Sequence, residues 1–137
     1  MKRIFALLAC SLFPAGLAMA SNHEAELDAA TAPGEVARAI FTAEIEDREP
    51  AFELRGIPEG MDEVYLFTDL RDFQGQTVTH RWSYAGNIES EVSFDVGGPR
   101  WRTWSLKSIP SNQRGEWSVD IVDGEGYIVN TYTISAR

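Results

Sequence analysis

The chain reads as an all-β domain: an antiparallel immunoglobulin-like β-sandwich of about seven strands, with a small β-barrel as the alternative. Three features predict this. Short apolar runs recur with turn residues between them, and beyond the first twenty residues no stretch keeps a helical period. Two segments also alternate apolar and polar side chains cleanly, as strands do in a sheet that is wet on one side.

Val36 to Ile45 is apolar enough for a first strand. "EDREP" (Glu46 to Pro50) breaks it, and Phe52 to Leu54 forms a short extension. Gly56, Pro58 and Gly60 mark a loop before "EVYLFTDL" (Glu63 to Leu70), a strand apolar on both faces. After the turn at Gly75, Val78, His80, Trp82 and Tyr84 share a core-directed face, while Thr77, Thr79, Arg81 and Ser83 share a polar one. Gly86-Asn87 is a two-residue hairpin turn. The returning strand puts Val92, Phe94 and Val96 inward and Glu91, Ser93 and Asp95 outward. Gly97-Gly98-Pro99 leads into "RWRTWSLKS" (Arg100 to Ser108), and Pro110 to Gly115 is a loop. "EWSVDIV" directs Trp117, Val119 and Ile121 to one face, and Gly124-Glu125-Gly126 turns the chain into a last strand, Tyr127 to Ser135.

Residues 1–20 have the form of a signal peptide: Lys2 and Arg3, an apolar run, then Ala18-Met19-Ala20 at the cleavage site. The expected location is periplasmic or secreted, with a flexible acidic leader over 21–35 and the sandwich over 36–137. Cys10 has only nine residues before it, too few for a lipoprotein signal, and His23 in the leader reads as a solvated tail residue. Cys10 is also the only cysteine, so the exported chain has none for disulfides, thiol catalysis or zinc. No second apolar segment predicts a membrane span. The net charge of -9 becomes -11 without Lys2 and Arg3, of which Ser21 to Glu63 contributes -9. Such acidity disfavours nucleic acid as a partner.

"DREP" (Asp47 to Pro50), "VYLFTDL" (Val64 to Leu70), "GQTVTHRW" (Gly75 to Trp82), "GGPRWRTWSLKS" (Gly97 to Ser108) and "GEWSVDIVDGEG" (Gly115 to Gly126) occur in order. Together they resemble the bacterial domain-of-unknown-function family 2914, over roughly Val36 to Ile134. The resemblance implies a small all-β domain, exported or attached to the envelope, and brings no activity, ligand or catalytic residue. Leu106 departs from the pattern, where the family more often has a serine before the lysine.

Few residues offer chemistry. His80 is the only histidine after the leader, and between Val78 and Trp82 it reads as a core histidine bonded to backbone. A nucleophile would need a base beside it, and no G-x-S-x-G elbow exists. Asp123 to Gly126, and Asp69 with Asp72, offer carboxylates at turns but no full calcium set, so they read as turn formers. No metal and no cofactor are expected.

The Arg/Trp strand is the best binding candidate, since aromatics stack on sugar rings and guanidinium forks grip acids. Alternation divides it into Arg100, Arg102, Trp104 and Leu106 on one face and Trp101, Thr103, Ser105 and Lys107 on the other. With Trp101 buried, Arg100, Arg102 and Trp104 face outward. With Trp104 and Leu106 buried, Trp101, Ser105 and Lys107 do. The first is favoured because it keeps both guanidiniums in water. Arg81 is a further candidate contact. The alternative to a ligand is that this patch pairs with acidic strands beside it.

The expectation is therefore a non-catalytic exported binding or interaction module of the bacterial envelope. Its partner would be an envelope polysaccharide or an envelope protein. A structural or assembly role through sheet edges is the alternative, and a hydrolase-like enzyme around His80 is the second.

Overall fold

The computed structural model describes residues 34–137. The signal segment, Cys10, His23 and the leader up to Pro33 lie outside the described residues. The strands are β1 (Glu35–Thr42), β2 (Ile45–Glu46), β3 (Glu49–Pro50), β4 (Glu63–Arg71), β5 (Thr77–Tyr84), β6 (Asn87–Asp95), β7 (Arg100–Ser108), β8 (Gly115–Val122) and β9 (Ile128–Ala136). Seven are eight or nine residues long, and the other two make one small hairpin.

A three-stranded sheet, in the order β1-β4-β7, packs against a four-stranded sheet, in the order β6-β5-β8-β9. The pairings within these sheets and in the β2–β3 hairpin are antiparallel. The chain is thus a β-sandwich, with no helix and no closed barrel among the described residues. Between the sheets lie Phe41, Val64, Leu66, Leu70, Val78, Trp82, Trp117, Val119 and Ile121, the interdigitated inner faces that hold such a fold together. Both large indoles satisfy their N–H: Trp82 Nε1 donates to Ser105 Oγ at 3.0 Å and Trp117 Nε1 to the Gln113 carbonyl at 2.9 Å.

Three local expectations are corrected. The first strand stops at Thr42, and "EDREP" closes the β2–β3 hairpin instead of merely breaking a strand. Its turn residues Asp47 and Arg48 both have positive φ, 50° and 63°, the mirror-image turn that matches strand twist. Phe52 to Leu54 is loop, although Leu54 N–H still donates to the Phe41 carbonyl at 2.7 Å. The β5–β6 turn is Ala85-Gly86, one residue earlier than expected, because Tyr84 pairs with Asn87 and both turn residues have positive φ.

The alternation itself holds. Val78, His80 and Trp82 are buried, while Thr79, Arg81 and Ser83 are partly exposed. Strand β4 is apolar on both faces because both are covered: Val64, Leu66 and Leu70 by the opposing sheet, Phe67 by side chains on the outside.

Candidate functional site

The outer face of the three-stranded sheet gathers most of the predicted binding residues. Antiparallel partners point to the same side, so its rows follow from the register. Glu35, Arg71 and Arg100 form one row; Arg38, Asp69 and Arg102 the next. Ile40, Phe67 and Trp104 follow, then Thr42, Tyr65 and Leu106. One half of the face is charged and the other apolar.

A β-bulge places Arg38 there. Val36 pairs with Leu70 and Arg38 with Asp69, so Ala37 is the extra residue. Strict alternation would give Val36 and Arg38 the same face; the bulge keeps the valine on the core and turns the arginine out. The β2–β3 hairpin contributes Glu49, whose carboxylate accepts from Arg38 at 2.9 Å and from Arg102 at 2.6 Å. Asp69 accepts from Arg71 Nε at 3.1 Å and from Arg38 and Arg100 at 3.3 Å each.

Asp69 is only 1 % exposed under its three arginines. Burial pushes its carboxyl up, but the hydrogen bonds from Arg71, Arg100 and Arg38 outweigh that, so it titrates below the ordinary carboxylate value. The bond from Arg38, followed by that from Arg102, holds Glu49 down to about 2. Both acids are therefore charged at neutral pH. The pairing of the Arg/Trp strand with neighbouring acids, expected as the alternative to a ligand, does occur. It is numerically incomplete: four guanidiniums share two carboxylates.

In the apolar half Phe67 is fully buried, with the Arg38 guanidinium 5.0 Å above its ring. Trp104 lies beside it in register and stays partly exposed at the sheet's end strand, and Leu106 is exposed.

The favoured assignment of the two tryptophans is the observed one: Arg100, Arg102 and Trp104 face outward. Trp101 packs on the interior, and a Cβ at Gly97 would come within 3.0 Å of its ring, so the glycine before the strand makes room for the indole. Lys107 shares that inner side and places Nζ 5.3 Å from the centre of the Trp117 ring. Arg81 lies on the other sheet and pairs with Glu91 at 2.9 Å. The six candidate residues therefore do not share one face; only Arg100, Arg102 and Trp104 do, joined there by Arg38, Arg71, Asp69 and Glu49. Nothing local in the sequence marks those four, because a bulge, a hairpin and a cross-strand register bring them together.

His80 is a polar centre of a different kind. Its ring has no exposure and bonds to side chains, where backbone partners were expected. Nε2 lies 3.0 Å from Thr68 Oγ1 and Nδ1 lies 2.8 Å from Ser105 Oγ, while Thr68 Oγ1 lies 2.9 Å from Thr103 Oγ1. Hydroxyls donate or accept, so either neutral tautomer is satisfied. Burial lowers the His80 pKa to about 3 and keeps the ring neutral. The signal in the sequence was the pair of hydroxyls Thr103 and Ser105 on one face of the Arg/Trp strand; in the register Thr103 lies opposite Thr68 of the adjacent β4.

Asp69 is not a turn residue but lies inside β4, whereas Asp123 does form a turn: its Oδ1 accepts from the N–H groups of Glu125 and Tyr127, at 2.9 Å each. No group of three His, Cys, Asp or Glu among the described residues is placed to hold a metal. No helix among them is long and apolar enough to cross a membrane.

The family described as a protein of unknown function (DUF2914) matches residues 75–134. That span contains the last three of the five motifs, and thus Arg100, Arg102 and Trp104; "DREP" and "VYLFTDL", which carry Glu49 and Asp69, precede it. No curated protein matches the chain.

Proposed function

We propose, for a chain whose residues 75–134 carry the sequence of a family without assigned activity, that it is a non-catalytic exported β-sandwich module of the bacterial envelope. It binds an envelope polymer through the outer face of the three-stranded sheet. The observation that supports this reading is the meeting of Arg100, Arg102 and Trp104 on one face, beside Arg38 and Arg71, with fewer acids than guanidiniums. A partly exposed indole on a strand next to forked cations suits a ring-bearing ligand with polar substituents. Export is inferred from the N-terminal segment.

The hydrolase reading drew on His80, which lies out of a substrate's reach among hydroxyls. The assembly reading keeps one observation in its favour: β7 and β6 are end strands, each with one backbone edge unpaired in its sheet.

Retention of the purified protein on immobilised peptidoglycan, chitin and other polysaccharides tests the proposal. Wild type is expected to be retained, with Arg102→Ala and Trp104→Ala passing through. Equal behaviour of all three overturns it. A concentration-dependent dimer in light scattering, with no polymer retained, favours assembly instead.

A further inference from the structure

The charge on the outer face is distributed in a way that specifies the ligand. Asp69 already accepts four hydrogen bonds, two from Arg71 and one each from Arg38 and Arg100. Three of the four fall on Oδ2, which has no site left for a further donor. Glu49 serves Arg38 and Arg102 and does not reach the remaining two arginines. Arg71 and Arg100, with side chains 41 % and 52 % exposed, thus keep most of their donors for solvent. They are direct cross-strand partners, and the Asp69 carboxylate bonds to both. Glu35 stands on the far side of Arg71 in the register and makes no ion pair among the described residues. Even with Glu35 counted, cations outnumber acids here, in a chain of net charge -9.

Two half-exposed guanidiniums side by side on one face, with donors left over beyond those given to Asp69, suit an anion. Trp104 stands two face positions along β7 from Arg100, about 13 Å at the usual strand rise. That distance exceeds one sugar ring, so a ligand engaging both is an oligomer. Resting on the reading of this face as a polymer-binding surface, we propose that the polymer is an anionic glycan. A carboxylate or phosphate seats between Arg71 and Arg100, and a sugar ring lies on Trp104. The acidity of the rest of the molecule repels such a chain elsewhere and confines it to this face.

The test titrates the purified protein with three oligosaccharides of matched length, one carboxylated (oligogalacturonate), one phosphorylated and one neutral (maltohexaose), followed by tryptophan fluorescence. At least one anionic series is expected to bind tenfold or more tightly than the neutral one, and to weaken as salt rises. The two anionic arms separate carboxylate from phosphate. Arg100→Ser is expected to weaken anionic binding about tenfold, as befits the loss of a charge-assisted contact. Trp104→Ala is expected to weaken every glycan that binds, and circular dichroism establishes that both variants fold. Neutral and anionic glycans bound equally, with Arg100→Ser unchanged, overturn the inference and leave the polymer-binding reading standing. No retention of any glycan, peptidoglycan included, overturns both. Binding of poly-glutamate in place of every glycan overturns the inference in favour of an acidic protein partner.

Discussion

Strands β4 and β7 carry a polar assembly on each of their two faces, and the two follow opposite rules. On the inner face Thr68, Thr103 and Ser105 meet His80 and Trp82 from the opposing sheet. Its members are neutral, each has a partner, and exposure there is 5 % or less. On the outer face the groups are charged, cations exceed acids, and two half-exposed arginines sit opposite each other, both bonded to Asp69. A buried polar group must be satisfied or it costs the fold. The inner assembly obeys that constraint completely and ties the sheets together. The outer one obeys it only at Asp69, which its arginines satisfy, and leaves an excess of cations toward solvent, the feature on which the proposed binding face rests.

Breaking the outer assembly at its centre gives the largest expected loss. Asp69→Asn leaves three arginines around a neutral amide. It should cost about 3 kcal/mol, the low end for removing one partner of a buried ion pair, since the arginines stay partly hydrated. Urea unfolding measures it. A loss under 1 kcal/mol would mean that the outer assembly is not held by its carboxylate.

The inner assembly is expected to reveal itself through pH. Below pH 6.5 the unfolded chain binds a proton that folded His80 refuses until about pH 3. Stability is therefore complete above pH 6.5 and falls as pH drops through that window. Between pH 7 and pH 5 the loss should be about 2 kcal/mol, above the range in which Glu49 titrates. His80→Gln should flatten this dependence. An equally steep slope in the variant assigns it to other groups.

A smaller effect sharpens the contrast from the hairpin that delivers Glu49. Arg48 adopts φ of 63° without being glycine. Arg48→Gly should raise stability by about 1 kcal/mol in thermal unfolding, by removing left-handed strain. A decrease would show that the arginine side chain holds the hairpin down.

Much of the fold was readable from alternation. The inward set Val78, His80 and Trp82, the outward set Glu91, Ser93 and Asp95, and the division of Arg100 to Ser108 into two faces all follow from the two-residue period of a strand. What escaped depends on register and on breaks in that period. Ala37 as a bulge reverses the side on which Arg38 emerges, and no local pattern announces it. Asp69, flanked by Thr68 and Leu70, looks like a turn acid until three arginines from three strands are seen to converge on it. The hairpin turn was misplaced by one residue because Ala85, a residue rarely found at positive φ, takes a position that glycine or asparagine usually fills.

The claim that the outer arginines serve a ligand and not the fold is tested most directly by Arg100→Ser, with unfolding free energy and glycan affinity measured on the same preparation. Losing one of the four bonds to Asp69, from an arginine that is half exposed, should cost no more than about 1 kcal/mol, while anionic-glycan binding falls about tenfold. A stability loss above 1 kcal/mol with affinity unchanged would contradict the claim and make Arg100 part of the scaffold.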